Sequence, residues 1–207
     1  MSSWARRLTG IRVRRRILVS ALAMIAGLAG AAVAGTAQAS NPPLPGPCND
    51  SNVQCYDTYV IWAAGLSGHD KKFVADVEYA SLTDRANVHL WSYLGNQNQK
   101  WVKARVANHE GVAWINQNSG KCLDMSMDQG GVRGAQIYQY TCSWGENQFW
   151  YGAQQTNSYG YVSINNGYDI GECMDLKDFN YGYGAAIQSW SCSGGWNQMW
   201  SFERLPA

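Results

Sequence analysis

Residues 121–150 read KCLDMSMDQGGVRGAQIYQYTCSWGENQFW. The frame is Cys-x-Asp, a glycine-bearing loop, an alternating strand with an aromatic two residues before a cysteine, and Asn-Gln-x-Trp. It returns at residues 172–200 as ECMDLKDFNYGYGAAIQSWSCSGGWNQMW, and a worn copy over residues 73–101 ends NVHLWSYLGNQNQKW. The Asn-Gln-x-Trp marks fall at Asn98, Asn147 and Asn197, in steps of 49 and 50 residues. A fixed period of this length, present three times, means one supersecondary unit tripled.

Residues 1–39 stand outside that plan. Arg6, Arg7, Arg12, Arg14, Arg15 and Arg16 form a basic head, residues 17–34 an apolar run, and Ala37-Gln38-Ala39 a small-residue ending. The order is that of a secretory signal peptide cleaved near Ala39. The apolar run also nears membrane-spanning length, but the Ala-x-Ala ending and the turn-prone NPPLPGP beyond it favour cleavage. Arg14-Arg15 faintly resembles a twin-arginine signal, and the export route stays open. Removal takes six of the sixteen basic residues and none of the fifteen acidic ones, moving the formal charge from +1 to −5. A chain so balanced, without a basic patch, argues against nucleic acid and against an anionic membrane as partner. The expectation for the mature chain is no membrane insertion and a monomer.

All six cysteines lie in the remaining 168 residues. In an exported chain an even number is expected to pair. Fifteen connectivities are open in principle. The repeat selects Cys122–Cys142 and Cys173–Cys192 as equivalents, leaving Cys48–Cys55. Cys-x-x-Cys pairs and clustered histidines are missing, so neither a metal nor a cofactor is expected. Residues 40–55 read as a proline-rich leader, extended and mobile over 40–47, carrying the Cys48–Cys55 loop. From Tyr56 onward short runs of β-branched and aromatic residues alternate with Gly, Asn, Asp and Ser, which predicts an all-β fold of about twelve strands. The repeats are set at roughly 56–106, 107–155 and 156–207.

Residues two apart in a strand share a face. His89, Trp91 and Tyr93 therefore point one way, as do Tyr138, Tyr140 and Cys142, and Gln188, Trp190 and Cys192. Cys122 shares a face with Asp124, so its bridge to Cys142 is expected to set Asp124 beside Tyr140, and the third repeat to set Asp175 beside Trp190. A carboxylate beside an outward ring suits a pyranose. The ring covers the C–H face, while carboxylate and amide take the rim hydroxyls. Asn98, Asn147 and Asn197 would supply the amide. Gln99, Gln148 and Gln198 point the opposite way and would bond backbone or steady the aspartate.

Cys-x-Asp, the aromatic two before the second cysteine, and Asn-Gln-x-Trp, three times over, resemble the ricin B-chain type of lectin domain across most of residues 56–207. That resemblance implies a β-trefoil, a six-stranded barrel capped by three hairpins, with up to three sugar sites. The expected sites are Asp76, His89, Trp91 and Asn98; Asp124, Tyr138, Tyr140 and Asn147; and Asp175, Gln188, Trp190 and Asn197. Trp101, Trp150 and Trp200 are expected in the core, each closing a repeat, with Trp62 and Trp114. The aspartates could instead serve only as turn-formers, and Trp144 and Trp196 suit either a site rim or loop packing.

The first repeat has Val74 and Tyr93 where the others have bridged cysteines, so its hairpin must be held by apolar contact. His89 and Tyr138 stand where the third repeat has Gln188. The third site alone has every element. A secreted, non-catalytic carbohydrate-binding protein for galactosides or plant-type polysaccharides is the leading expectation. A glycosidase would need two carboxylates about 5–10 Å apart, whereas the repeats scatter theirs. A trefoil that binds or inhibits another protein, such as a protease, is the alternative, but it has no use for three equivalent Asp–aromatic pairs.

Overall fold

The computed structural model describes residues 43–206 other than 69, 129 and 132. Residues 1–39, read above as a signal peptide, lie outside the described residues. Twelve strands follow one another: β1 (Val53–Ala63), β2 (Phe73–Val77), β3 (Ala86–Ser92), β4 (Trp101–Val106), β5 (Ala113–Asn116), β6 (Cys122–Met125), β7 (Ile137–Tyr140), β8 (Trp150–Thr156), β9 (Val162–Asn166), β10 (Glu172–Leu176), β11 (Ile187–Ser191) and β12 (Trp200–Arg204). Among the described residues the only helices are single 3-10 turns, and none is long and apolar enough to cross a membrane.

Six strands close a barrel. β1 pairs with β12 and β4, β4 with β5, β8 with β9, and β9 with β12. Val112 and Trp150 complete the ring by exchanging both backbone bonds, at 3.0 and 2.9 Å. Closure leaves the barrel no free edge. The other six strands form hairpins β2–β3, β6–β7 and β10–β11. Their second strands meet one another at Asn87–Tyr138, His89–Ala186 and Gln136–Gln188. The all-β class, the trefoil plan and the strand count therefore agree with the sequence reading.

Trp101, Trp150 and Trp200 sit fully inside, with Leu90, Leu123, Ile137, Met174 and Ile187 around them. Each indole carries a polar N–H that burial would orphan. All three solve this identically: Nε1 donates to the carbonyl of Ala75, Leu123 or Met174 at 3.1, 3.0 and 2.9 Å. Trp62 and Trp114 are buried as well.

The three disulfides are Cys48–Cys55, Cys122–Cys142 and Cys173–Cys192. In the first repeat Val74 packs with Val60 and Trp62, and Tyr93 lies 5.4 Å from the Trp62 ring. Apolar contact thus stands where the other repeats have a covalent clamp.

Two expectations need correction. The leader over residues 43–47 does not trail away: Pro45 is buried, Gly46–Asn49 form a 3-10 turn, and Gln117 Nε2 donates to the Pro43 carbonyl at 2.8 Å. β1 also begins at Val53, opposite Val106, so leader and barrel overlap by three residues.

Candidate functional site

The hairpin register also differs from the one expected. Cys122 lies opposite Tyr140 and Cys173 opposite Trp190, so Asp124 faces Tyr138 and Asp175 faces Gln188. Asp76 faces His89 in the same way. Cys142 and Cys192 fall just beyond the ends of β7 and β11, and each bridge runs diagonally across the hairpin mouth at 5.1 Å between Cα atoms. The bridge therefore places the ring beside the cysteine, and the aspartate two pairs deeper, diagonal to the ring rather than beside it.

In the third repeat Asp175 is 2% exposed. Its Oδ1 accepts from Gln188 Nε2 at 3.0 Å, and its Oδ2 from Asn197 Nδ2 at 2.6 Å and Gln198 Nε2 at 2.9 Å. Charge-assisted bonds of this kind contribute about 1.5–3 kcal/mol each. Gln198 also donates to the Ser191 carbonyl and accepts from Ser193 N, tying the loop after β11 to the carboxylate. Burial still pushes the Asp175 carboxyl above its ordinary range. Trp190, 43% exposed, stands over a cavity of about 580 Å³ lined by Asp175, Lys177, Phe179, Gln188 and Asn197. Asn197 Oδ1 is buried without a partner. Gln188, expected to meet a ligand, braces Asp175 through Nε2 and also lines the cavity.

The first repeat builds a cavity of about 470 Å³ from Asp76, Tyr79, His89, Trp91, Leu94 and Asn98. His89 Nε2 lies 3.3 Å from Asp76 Oδ1, and its ring stacks on Trp91 at 5.6 Å and 14°. Asn98 Nδ2 donates to the Val77 carbonyl at 2.9 Å, and its Oδ1 is another buried acceptor without a partner. Gln99 holds only the loop, accepting from Leu94 N and donating to the Ser92 carbonyl. It steadies no aspartate here.

The second repeat differs. Asp124 Oδ1 accepts from Asn147 Nδ2 at 3.0 Å and Oδ2 from Gln148 Nε2 at 2.8 Å. Burial nonetheless pushes its carboxyl up to about 6. Tyr138, 6% exposed, fills the place of Gln188, with Tyr140 6.1 Å from it. The Arg85 guanidinium lies 5.9 Å from the Tyr138 ring and is held there by both oxygens of Asp128. Two rings and an ion pair crowd the position where the other repeats open.

Sequence reasoning missed that each site borrows from another repeat. Tyr183 of the third repeat stands edge-on to Trp91 at 5.2 Å, Arg85 of the first covers Tyr138, and Arg133 of the second lies 5.5 Å from the Trp190 ring. Each sits just before the second hairpin strand of its own repeat (β11, β3 and β7 in turn) and reaches the ring of a neighbouring repeat. Asn116 and Asn166 were missed too. Each is fully buried and donates at 3.0 Å to the backbone carbonyl of Asn98 or Asn147, locking the Asn-Gln-x-Trp turn to the next repeat.

A threefold barrel-and-cap whose hairpins each set a buried carboxylate diagonal to a partly exposed ring defines a lectin-type β-trefoil. The model of the ricin-type β-trefoil lectin domain-like family matches residues 56–128 and 98–190, and the chain belongs to that family. The designed threefold-symmetric protein ThreeFoil is 32% identical at a TM-score of 0.62, covering 72% of this chain and 99% of its own. An exo-β-1,3-galactanase from Clostridium thermocellum is 26% identical at 0.62, over 72% of this chain but 30% of the enzyme. The Macrolepiota procera ricin B-like lectin, solved with lactose, shares the fold at 17% identity and 0.57, over 72% and 95% of the two chains. No curated protein gives a significant sequence match. Three disulfides suit an extracellular or secretory-pathway protein.

Proposed function

We propose that the chain is a secreted, non-catalytic carbohydrate-binding protein, and that its first and third repeats carry the working sites. The observation that supports this most is the carboxylate Asp175, pinned by three amides at the foot of a cavity whose wall is a half-exposed indole. Fixing the acceptor in advance removes the ordering cost from binding. The ring offers the C–H face of a sugar its stacking partner. Asn98 and Asn197 line the two cavities, each with a buried Oδ1 that has no protein partner.

Galactosides, or xylose- and arabinose-containing plant polymers, are the proposed ligands. The lectin solved with lactose supports the first choice, and the galactan-cleaving enzyme that carries a similar unit supports a polymer. Each aspartate belongs to a separate lobe, Asp124 and Asp175 held by side-chain amides and Asp76 facing His89, an arrangement for recognition rather than for acid–base work. One shallow site is expected to hold a monosaccharide at about millimolar Kd, and two on one rigid body to raise avidity about 100-fold on a polymer. The test is retention on arabinoxylan and galactan beads against competition by free sugars, on the mature protein with calcium chelated. Retention on polymer that free galactose, xylose or arabinose displaces only at high concentration supports the reading. Absence of retention on every polymer, with the fold intact, contradicts it.

A further inference from the structure

The second repeat carries a cavity that lies outside the three hairpin sites. It has a volume of about 340 Å³ and three walls: the leader turn with Pro47 and Asp50, the β5–β6 turn with Ser119 and Lys121, and the segment after β7 with Thr141 and Trp144. The family match begins at residue 56, so the leader wall lies outside the matched trefoil. The Cys48–Cys55 bridge and the bond from Gln117 to Pro43 hold that wall in place.

Trp144 is the unusual member. It adopts φ 60°, at the position where the first and third repeats have Gly95 at 77° and Gly194 at 73°. A left-handed backbone is unstrained for glycine and strained for a bulky residue. Such strain persists where the side chain has a use, and the inference runs from the outlier to the use. Part of that use is packing, because Trp144 lies against the small cluster of Val53, Val106 and Phe149. Packing accounts for its buried edge. It leaves open why the partly exposed remainder of the ring faces a polar cavity.

The polar groups there are of one chemical kind. Lys121 Nζ is neutralised by Asp84 at 2.6 Å and bonds Thr141 Oγ1 at 3.0 Å, so it presents a hydrogen-bond donor rather than a net charge. Asp50 Oδ1 accepts from Asn52 N, which leaves Oδ2 open. An indole, a carboxylate oxygen, a neutralised ammonium and two hydroxyls match a neutral sugar: one C–H face and a rim of hydroxyls. We propose that this cavity is a fourth carbohydrate subsite, with Trp144 as platform and Asp50 as acceptor. In the repeat whose hairpin site is crowded by Tyr138 and Arg85, sugar binding has moved to the leader side. The proposal shares its ligand class with the function proposed above but none of its residues.

The test is indole N–H NMR during titration with lactose and, separately, an arabinoxylan oligosaccharide. The Trp144 resonance is assigned with Trp144→Gly, which suits the left-handed backbone. Movement of the Trp144 resonance, weakened about fivefold or more in Asp50→Asn while Trp91 and Trp190 titrate unchanged, supports the fourth subsite. Movement of Trp144 alone, with the same Asp50 dependence, supports it while removing the hairpin sites. A Trp144 resonance that stays still, or moves equally in Asp50→Asn, overturns the proposal. With Trp91 and Trp190 still responding, the hairpin reading survives that result. With neither responding, both fail.

Discussion

Trp200 Nε1 donates to the carbonyl of Met174 at 2.9 Å, and Met174 is the residue before Asp175. Trp150 and Trp101 make the same bond to Leu123 and Ala75, each again one residue before the site aspartate. The tryptophan that closes each repeat therefore fixes the strand that carries the carboxylate. Core and site are one mechanical unit.

Replacing Trp200 by Phe tests that link. The variant keeps most of the apolar volume but removes the donor, leaving the Met174 carbonyl buried and unpaired. A loss of about 1–3 kcal/mol is expected from the unmade bond, with further loss from the void. Urea denaturation measures it, and a change within error of zero would show that the bond carries no weight.

Asp124 carries a pH signature. Its carboxyl is raised to about 6 by burial, which outweighs the opposing bonds from Gln148 and Asn147. The folded chain thus holds this proton more tightly than the unfolded chain, whose ordinary value is 3.8. The penalty for the charged form is complete above about pH 6 and is relieved as pH falls toward 4. Relative to Asp124→Ala, the wild type should gain on the order of 2 kcal/mol between pH 7 and pH 4. A wild-type-minus-variant difference that does not change with pH contradicts this.

Much of this architecture was legible because the period fixes it. Asn98, Asn147 and Asn197 marked three units, and the paired cysteines followed from matching positions. Register was not legible. The sequence shows that Cys122 and Cys142 pair, but whether they face each other or cross a hairpin mouth depends on where β7 ends. That one step decides whether Asp124 meets Tyr140 or Tyr138. Contacts between repeats were invisible for a related reason. Arg85, Arg133 and Tyr183 are exposed loop residues whose partners lie in another lobe, and no local alternation reports them.

The second site offers a gain-of-function test. Removing the Arg85 side chain should cost little stability, because the pair with Asp128 is exposed and screened by water. It should also uncover the Tyr138 ring. Calorimetric stoichiometry on the free sugar is expected to rise in Arg85→Ala, and stoichiometry that stays the same would mean that Tyr138 itself closes the site.

The bridges differ in what they hold. Replacing both Cys173 and Cys192 by Ser should cost about 3 kcal/mol, the chain-entropy value for a loop of this length. It should also weaken the third site, whose ring is placed by that clamp. The first site, held by Val74 and Tyr93 against Trp62, should keep its affinity. Equal weakening of both would argue that the loss is global rather than local.

Calorimetry of sugar binding to Asp76→Ala, Asp124→Ala and Asp175→Ala, each first shown to be folded, tests the central claim most directly. Asp175→Ala is expected to remove the tightest component, Asp76→Ala a weaker one, and Asp124→Ala to change the isotherm least. Unchanged binding in Asp175→Ala, alongside its abolition in Asp124→Ala, would contradict the account.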